Sequence, residues 1–168
     1  VYKEKTFNNF YDLWLPIKEF ISPDTYFIKP DPDITITDPG NATTPITVAA
    51  YDHVTDSIYL NSGRGYTRNG RIKPDIAAPG VNVFGALPGN KFGVRSGTSI
   101  AAAHAAGAAA LLLEWGIVKG NRPSIQTREI KTLFIRGATR TNMTYPNNEW
   151  GYGALNIYGA FESLRTTL

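Results

Sequence analysis

The short run Gly97-Thr98-Ser99 is where the sequence offers a candidate nucleophile. It lies in the stretch VRSGTSIAAAHAAGAAALLLEW, residues 94–115, which passes from a predicted strand into a long run of small apolar residues. A serine hydroxyl is a weak nucleophile at neutral pH and needs a positioned base, usually a histidine oriented by a carboxylate. The chain has only two histidines, so the choice of a base is narrow.

The elements predicted around Ser99 suit attack on a carbonyl group. A strand in KFGVRSG stops at Gly97, and a helix begins at Thr98. Glycine lets the backbone turn sharply and lets a substrate approach, and the unpaired N–H groups and positive dipole end of a helix N-terminus stabilise an oxyanion. The alternative is a structural role, because serine and threonine are common helix N-caps. Position alone leaves both interpretations open.

Neither an α/β-hydrolase nor a chymotrypsin-like arrangement fits these residues. His104 follows Ser99 in the same helix and faces largely away from it. The nucleophile elbow of the α/β-hydrolases is Gly-x-Ser-x-Gly, and Ala101 stands at its second glycine position. That fold also needs an acid and then a histidine downstream of the serine. The Gly-Asp-Ser-Gly-Gly run of chymotrypsin-like proteases is absent from the sequence.

Composition indicates a globular chain and excludes several classes of function. Of the 168 residues, 42% are hydrophobic and 18% are charged, which is typical of a folded domain. The formal charge of +3 is spread without a dense basic cluster, so no nucleic-acid partner is expected. Without cysteine there is no disulfide, thiolate zinc site or cysteine nucleophile. The longest apolar run, Ile100 to Leu113, is short for a membrane span, and none is expected.

Alternating strand and helix patterns predict an α/β fold with a mainly parallel sheet flanked by helices. DPDITITDPG alternates as a half-buried strand does, and PITVAAYD, residues 45–52, suits a strand buried on both faces. Further short strands are predicted in DSIYLNSGRG, in both halves of KPDIAAPGVNVFGAL and in KFGVRSG.

Three helices are predicted after these strands. The first begins at Thr98 and is small and apolar on every face, which is typical of a central buried helix, with Gly116 as its C-cap. RPSIQTREIKTLFIRGA is amphipathic and closes at Gly137. Its apolar side consists of Ile125, Ile130, Leu133 and Phe134. GYGALNIYGAFESL supplies a last short helix.

Residues 1–29 differ from the rest of the chain in composition. Prolines break this aromatic segment into pieces too short for stable helices, so short strands are expected there. The aromatic residues expected to pack them are Phe7, Phe10, Trp14, Phe20 and Phe27. A carbohydrate-binding β-sandwich is a minor alternative that rests on these aromatics alone. We place a domain boundary near residue 30, where the composition changes.

The segment KPDIAAPGVNVFGALPGNKFGVRSGTSIAAAHAAGAAALLLEWG resembles the serine-bearing segment of the subtilisin-like proteases. The family pattern is an Ala-Pro-Gly turn, a short loop, Gly-Thr-Ser-x-Ala and a His-x-x-Gly helix. TPITVAAYD resembles the preceding strand and GYGALNIYGAF the closing Gly-x-Gly-x-x-Asn segment, so the resemblance covers residues 30–168 almost without a gap. It implies the C-terminal portion of a subtilisin-like domain and a serine endopeptidase that works through an acyl-enzyme.

The resemblance also implies a role for each residue of the serine motif. Ser99 matches the acylating nucleophile, whose backbone N–H donates one hydrogen bond to the oxyanion, and Thr98 matches a residue whose hydroxyl lies near that oxyanion. Ser96 and Gly97 match residues lining the leaving-group side of the scissile bond, although asparagine is commoner at the position of Ser96. His104 matches a structural histidine of the serine helix and not the catalytic base.

The other members of the catalytic triad are not found in this sequence. The family runs Asp, His, Ser along the chain, and its Asp-Ser/Thr-Gly and His-Gly-Thr-His motifs are absent here. Asp52-His53 falls where the family has a variable surface turn, and Gly40-Asn41, which imitates the oxyanion Gly-Asn, falls on the turn before the TPITVAA strand. The chain therefore resembles the C-terminal part of a protease whose N-terminal remainder is its partner. Removing the base of such a triad costs about 10⁶ in turnover, so the chain alone is expected to be inactive.

Several segments look most like a clostridial branch of the family that includes spore-germination proteases. They are LWLPIKEFISPDTYFIKPDPDITITDPGNA, SGRGYTRNGRIKPDIAAPG and EWGYGALNIYGAF. In that branch a jelly-roll β-sandwich interrupts the protease domain, which would make residues 1–29 the tail of the insert and residues 30–168 the C-terminal part of the peptidase domain. The resemblance implies a secreted or spore-associated bacterial protein acting on proteins or peptides. The alternative is a catalytically dead pseudoprotease used as a scaffold, since the branch contains such members.

Calcium is common in the family, and it is the one cofactor that the resemblance suggests. Asp75 in KPDIAAPG lies where some relatives bind a weak cation. Lys73 beside it argues against a cation at that place. No residue is assigned as a metal ligand.

Overall fold

The computed structural model describes residues 13–16 and 20–165, and every element named below lies within those ranges. The chain divides into two compact units, residues 1–31 and residues 32–168. All strands and helices with assigned bounds lie in the second unit.

The described part of the first unit, residues 13–16 and 20–31, contains no strand. The prediction of short strands packed by aromatic side chains is wrong for Trp14, Phe20 and Phe27, while Phe7 and Phe10 lie outside the described residues. Trp14 is 55% exposed and Phe20 is 76% exposed. A strand is stable only when a neighbouring segment accepts and donates its backbone hydrogen bonds, and no such ladder forms here among the described residues.

A three-stranded sheet lies at the centre of the second unit. Its strands are β1 (Val48–Asp52), β2 (Ser57–Ile58) and β3 (Ile76–Pro79), in the order β2-β1-β3. β1 is parallel to β3, with Val48 opposite Ile76, and antiparallel to β2. The predicted α/β fold is confirmed, and the apolar run at residues 45–52 does form its central strand.

The sheet extends beyond β3 through an irregular segment near residue 154. The amide of Ala77 donates to the carbonyl of Gly153 (2.9 Å), and the amide of Leu155 donates to the carbonyl of Ala77 (2.7 Å). Between β3 and the first helix, β4 (Val83–Leu87) and β5 (Lys91–Arg95) form a separate antiparallel hairpin.

The two faces of the sheet carry different partners because strand side chains alternate between faces. Ala50 and Ala78 pack against Ala101 of the first helix, which approaches this face. Ala49 and Ala77 face the other way and pack against Trp150. Alanine at all these positions lets backbones come close together.

Helix α1 (Thr98–Leu113) is buried along one stripe and exposed on the rest of its surface. The buried residues are Ala101, Ala105, Ala108 and Leu112. The prediction of a helix buried on all faces is therefore wrong for the described structure, although the composition behind it is real. The sheet and the other helices cover only the stripe, and alanine and leucine side chains on the remaining faces have no covering element among the described residues.

The end of α1 also differs from the prediction of a C-cap at Gly116. The helix continues as a π-helical segment, Glu114–Val118, and Gly116 is buried inside it. The amide of Arg122 donates to the carbonyl of Gly116 at 2.8 Å. A β-carbon at residue 116 would lie 3.1 Å from Ile125 Cγ2, so glycine allows close packing here and does not act as a cap.

The continuous helix Thr98–Val118 meets the length and composition criterion for a membrane-crossing helix. It has 21 residues and a mean hydropathy of 1.5. Core helices of soluble proteins meet the same criterion, so this finding alone assigns no membrane span.

Helices α2 (Thr127–Gly137) and α3 (Ile157–Arg165) close the main core. The predicted amphipathic face of α2 is confirmed, since Ile130, Leu133 and Phe134 are buried against Ile76 and Leu112. Ile125 is buried as well but precedes the helix.

The strand predicted in DPDITITDPG does not form. Residues 32–36 are irregular, and Ile34 has a positive φ of 55°, which interrupts any extended run. Thr35 instead donates its amide to the carbonyl of Arg64 at 2.9 Å. Ile34 and Ile36 thus lie in an irregular segment that crosses the chain near Arg64, and not in a sheet.

Close contact between α2 and α3 gives a first prediction. A β-carbon at Gly137 would collide with the backbone of Ala160 and Gly159, so Gly137→Ala is expected to lower the free energy of unfolding by about 2–3 kcal/mol through overpacking. Gly107→Ala is the matched control, because nothing lies within 4 Å of its β-carbon, and it should be neutral or stabilising by about 0.5–1 kcal/mol. Urea unfolding of both variants measures this, and equal stability of the two would contradict the packing.

Candidate active site

Ser99 lies on the first turn of α1, directly after the loop that leaves β5. The helix begins at Thr98, and Ser99 is exposed. β5 ends at Arg95, so only Ser96 and Gly97 separate the strand from the helix. The strand–turn–helix arrangement predicted for the serine motif is therefore present.

The turn before Ser99 is fixed to the end of the central sheet through two glycines. The amide of Gly97 donates to the carbonyl of Gly80 at 2.7 Å, and the amide of Gly80 donates to the carbonyl of Tyr51 at 2.9 Å. A β-carbon at Gly80 would lie 2.6 Å from Ala50 Cβ and 2.9 Å from the Gly97 carbonyl oxygen. Only glycine at residue 80 lets the serine turn sit this close to the sheet.

Neither Thr98 nor Ser99 caps the start of α1 with its side chain. The N-cap is Gly97, which has no side chain, and no side-chain capping bond is made. The amides of Ile100 and Ala101 both point to the carbonyl of Gly97, at 3.1 and 3.4 Å. Those of Thr98 and Ser99 have no acceptor within residues 13–16 and 20–165. The hydroxyl and the N–H of Ser99 are thus not consumed by the helix itself.

Ser96 has a role that the sequence did not reveal. Its hydroxyl accepts a hydrogen bond from the backbone N–H of Asn82 at 2.8 Å and lies 3.4 Å from the side-chain oxygen of Asn82. Asn82 has a positive φ of 52°. The predicted substrate-lining residue therefore braces the loop between β3 and β4, while Gly97 lies at the turn as predicted.

Neither histidine is bonded to Ser99 in the described structure. His104 lies about 140° around the helix axis from Ser99, and its Nδ1 is 3.1 Å from the carbonyl oxygen of Ile100. Its side chain is exposed among the described residues. His53 is exposed in the turn after β1, where Asp52 accepts the amide of Val54 at 2.9 Å.

The candidate oxyanion asparagine is used locally. Asn41 donates its side-chain amide to the carbonyl of Ile36 at 2.7 Å and to a carboxylate oxygen of Asp38 at 3.3 Å. Its position on a turn before β1 agrees with the sequence interpretation, and these contacts brace that turn.

A shallow apolar cleft of about 470 Å³ runs between the β4–β5 hairpin and α1. Its lining includes Leu87, Arg95, Ile100 and His104. On the hairpin, Phe84 and Phe92 stack with their ring centroids 5.9 Å apart, and each is more than two-thirds exposed. The sequence predicted both strands of this hairpin, in the second half of KPDIAAPGVNVFGAL and in KFGVRSG, but not the stacking of the two aromatic rings.

The chain matches the model of one protein family over most of its length. The matched family is described as the subtilase family, Peptidase S8, and the match covers residues 29–153. This chain belongs to the subtilase family. The predicted resemblance is thereby confirmed, and with it the serine peptidase class of its relatives.

Relatives of known name give the same family. The chain is 33% identical to the serine protease AprX of Bacillus subtilis over 142 residues, which cover 73% of this chain and 30% of AprX. It is 32% identical to the minor extracellular protease Vpr of the same organism over 102 residues, covering 55% of this chain and 12% of Vpr. The subtilase chain thus spans less than a third of the length of these relatives.

Solved structures confirm the subtilase fold and its clostridial affinity. The CspB protease of Clostridium perfringens matches with a TM-score of 0.80 and 36% identity, over 84% of this chain and 31% of that one. The prenylagaramide maturation protease PagA matches with a TM-score of 0.66 and 31% identity, over 80% of this chain and 47% of PagA.

The brace between Ser96 and Asn82 gives a second prediction. Ser96→Ala removes the acceptor of the Asn82 amide, and since a hydrogen bond contributes about 1 kcal/mol, exchange of that amide with solvent deuterium should become about fivefold faster. Ser57→Ala is the control, because within residues 13–16 and 20–165 the hydrogen bond of its exposed hydroxyl is to Thr55. Residue-resolved hydrogen exchange measures both variants, and an unchanged rate at Asn82 in Ser96→Ala would contradict the brace.

Proposed function

We propose that this chain carries the nucleophile of a subtilisin-type serine endopeptidase, with Ser99 attacking the carbonyl carbon of a peptide bond to form an acyl-enzyme. The backbone N–H of Ser99 donates to the resulting oxyanion, and the Thr98 hydroxyl lies near it. Ser96 and Gly97 line the leaving-group side of the scissile bond. The substrate is a protein or peptide.

One observation carries this proposal: Ser99 is exposed at the start of α1 with neither its hydroxyl nor its N–H used for capping. A serine kept at a helix N-terminus only for its structural value would accept a hydrogen bond from an amide of the first turn. The Ser99 hydroxyl makes no such bond, since the amides of Ile100 and Ala101 point to the carbonyl of Gly97. The N–H of Ser99 is itself left available, and amides at a helix N-terminus stabilise developing negative charge.

The base and its orienting carboxylate come from an N-terminal remainder of the same protease. Within the described residues no histidine contacts Ser99, and the match covers less than a third of AprX and of the CspB protease. A serine without its base loses about 10⁶ in turnover. The chain alone is therefore expected to be inactive.

The exposed side of α1 supports this partnership. Ala102, Ala106, Ala110 and Leu113 recur at helical spacing and are all exposed. Such a small-residue stripe admits close approach of a second layer of structure, and the rest of the peptidase domain is the layer that the relatives' length implies. On this proposal Thr98–Val118 is the core helix of the complete domain and crosses no membrane.

The remaining assignments follow from the resemblance to the clostridial branch. Residues 1–29 are the tail of an inserted jelly-roll domain, and residues 30–168 are the C-terminal part of the peptidase domain. The protein is secreted or spore-associated; Vpr, a relative, is named an extracellular protease.

Labelling with a fluorophosphonate probe tests the nucleophile. This probe forms a covalent bond only with an activated serine. The chain alone should remain unlabelled, and the chain combined with its N-terminal remainder should take up one label, located at Ser99 by intact mass and peptide mapping. Ser99→Ala should abolish that label, while Ser124→Ala, which changes another exposed serine, should retain it.

Each failure of this experiment has its own meaning. Stoichiometric labelling of the chain alone at Ser99 would contradict the claim that the base lies elsewhere. No label on the complete protein would contradict the nucleophile and favour a pseudoprotease scaffold.

The partner surface of α1 gives a further prediction. Ala106→Glu places a charge in the exposed stripe and should prevent stable association with the N-terminal remainder, because burial of an unpaired charge costs several kcal/mol. Ala42→Glu alters another exposed alanine, on the turn before β1, and should associate normally. Co-purification of the two parts measures this, and equal recovery of both variants would contradict the proposed surface.

A further inference from the structure

Lys73 is a buried cation surrounded by oxygen atoms. Its side chain is 3% exposed. The ammonium nitrogen lies 2.7 Å from Asp75 Oδ2, 2.9 Å from the Pro45 carbonyl oxygen and 3.0 Å from Thr47 Oγ1. An ammonium group has three N–H bonds to donate, and each one has an acceptor here.

Lys131 brings a second ammonium group to the same oxygens from α2. Its nitrogen lies 2.8 Å from the Thr43 carbonyl oxygen, 2.9 Å from that of Pro45 and 3.2 Å from Asp75 Oδ1. The Pro45 carbonyl oxygen and the Asp75 carboxylate are therefore shared between the two lysines. The Lys131 side chain is 16% exposed and forms the outer edge of the cluster.

The oxygen atoms join three separate parts of the fold. Asp75 Oδ2 also accepts the backbone N–H of Thr47 at 2.7 Å, and the Asp75 amide donates to the Thr47 carbonyl at 2.8 Å. Thr47 immediately precedes β1, Asp75 immediately precedes β3, and Lys131 lies in α2. The cluster thus sets where the two parallel strands begin.

This donor set is one that a metal cation would otherwise use. Hard cations bind carboxylate, carbonyl and hydroxyl oxygens, and five such oxygens converge here. They belong to Thr43, Pro45, Thr47 and Asp75. Calcium needs oxygens at about 2.3–2.6 Å, whereas these lie 2.7–3.2 Å from the ammonium nitrogens, so the residues present do not fit calcium.

The charges of Lys73, Lys131 and Asp75 also favour a monovalent over a divalent cation at this place. Two ammonium groups and one carboxylate leave a single net positive charge, and burial lowers the pKa of Lys73 while the hydrogen bond and charge of Asp75 oppose that shift. If the Lys73 ammonium were absent, a monovalent ion at its position would restore the same charge. A divalent ion would add a charge next to Lys131.

We propose that the Lys73 ammonium occupies a cation cage of the fold, so that this chain fills with its own side chain a position that a monovalent cation such as K⁺ can take when the lysine is removed. Neither K⁺ nor Ca²⁺ then stabilises the unaltered protein at this place. The inference concerns the beginning of the parallel strands and is independent of catalysis by Ser99.

Thermal unfolding of the full chain in matched salts tests the cage. Lys73→Ala vacates the ammonium position, whereas Lys73→Met also removes the charge but keeps a side chain of similar length in it. Both should unfold about 10 °C below the unaltered protein, because each leaves Asp75 short of a buried partner. Potassium chloride is compared with choline chloride at equal ionic strength, and Lys119→Ala, which removes an exposed ion-paired lysine, controls for general charge effects.

The expected result is selective rescue of one variant. The midpoint of Lys73→Ala should rise by about 4 °C in K⁺ at ten times its dissociation constant, relative to choline. Lys73→Met, Lys119→Ala and the unaltered protein should show no difference between the two salts, and EDTA should not change the unaltered protein. Identical midpoints of Lys73→Ala in both salts would overturn the proposal, and so would specific stabilisation of the unaltered protein by K⁺ or Ca²⁺ that Asp75→Asn removes.

A second variant keeps the test decisive if Lys73→Ala does not fold. Gly107→Ala introduces a β-carbon with nothing within 4 Å and is expected to stabilise α1, so Lys73→Ala is then measured in the background of Gly107→Ala. The double variant should show the same preference for K⁺ over choline, and equal midpoints in the two salts would overturn the proposal.

Discussion

The approach of Gly97 to Gly80 is the contact on which the candidate site depends. The 2.7 Å hydrogen bond between them joins the end of β3 to the turn that presents Ser99, and Gly80 is itself bonded to β1 through Tyr51. The position of the serine is therefore inherited from the parallel pair β1–β3 and not from the exposed hairpin that precedes it. Because a β-carbon at residue 80 would meet both Ala50 and Gly97, there is no room for a side chain between the sheet and the turn that carries Ser99.

Local patterns predicted much of this arrangement because the relevant signals lie close together in the chain. The apolar run at 45–52, the amphipathic period of α2 and the strand–turn–helix around Ser99 each depend on neighbouring residues, and the structure contains all three. The serine motif was also the part most readily recognised, since glycine, threonine and serine at fixed spacing serve one geometry. The capping alternative could be resolved only by the backbone, which shows Gly97 as the N-cap.

The features that the sequence predicted wrongly or missed all depend on contacts between residues far apart in the chain, which the spacing of residues does not indicate. The alternation of Ile34 and Ile36 predicted a strand, but a strand requires a continuous partner, and this segment makes only a short crossing with Arg64 and Gly65 among the described residues. The apolar composition of α1 predicted burial on all sides, but only the stripe facing the sheet is covered in the described residues. The hydrogen bond from the Asn82 amide to the Ser96 hydroxyl was not predicted, because it joins residues fourteen positions apart that no periodicity connects.

The alanines between the sheet and α1 set the distance between these elements but contribute little to the free energy of folding, two roles that most protein cores combine. Ala50, Ala78 and Ala101 bury little apolar area each, so this layer sets distances while contributing modestly to the free energy of folding. Large side chains supply that free energy in a different cluster, where Leu112 near the end of α1 packs with Phe134 of α2. One helix spans both layers, with the serine at the end where spacing matters most. Larger side chains introduced near that end will therefore impair function by pushing the helix away from the sheet. Smaller side chains introduced at the other end will impair folding by leaving voids.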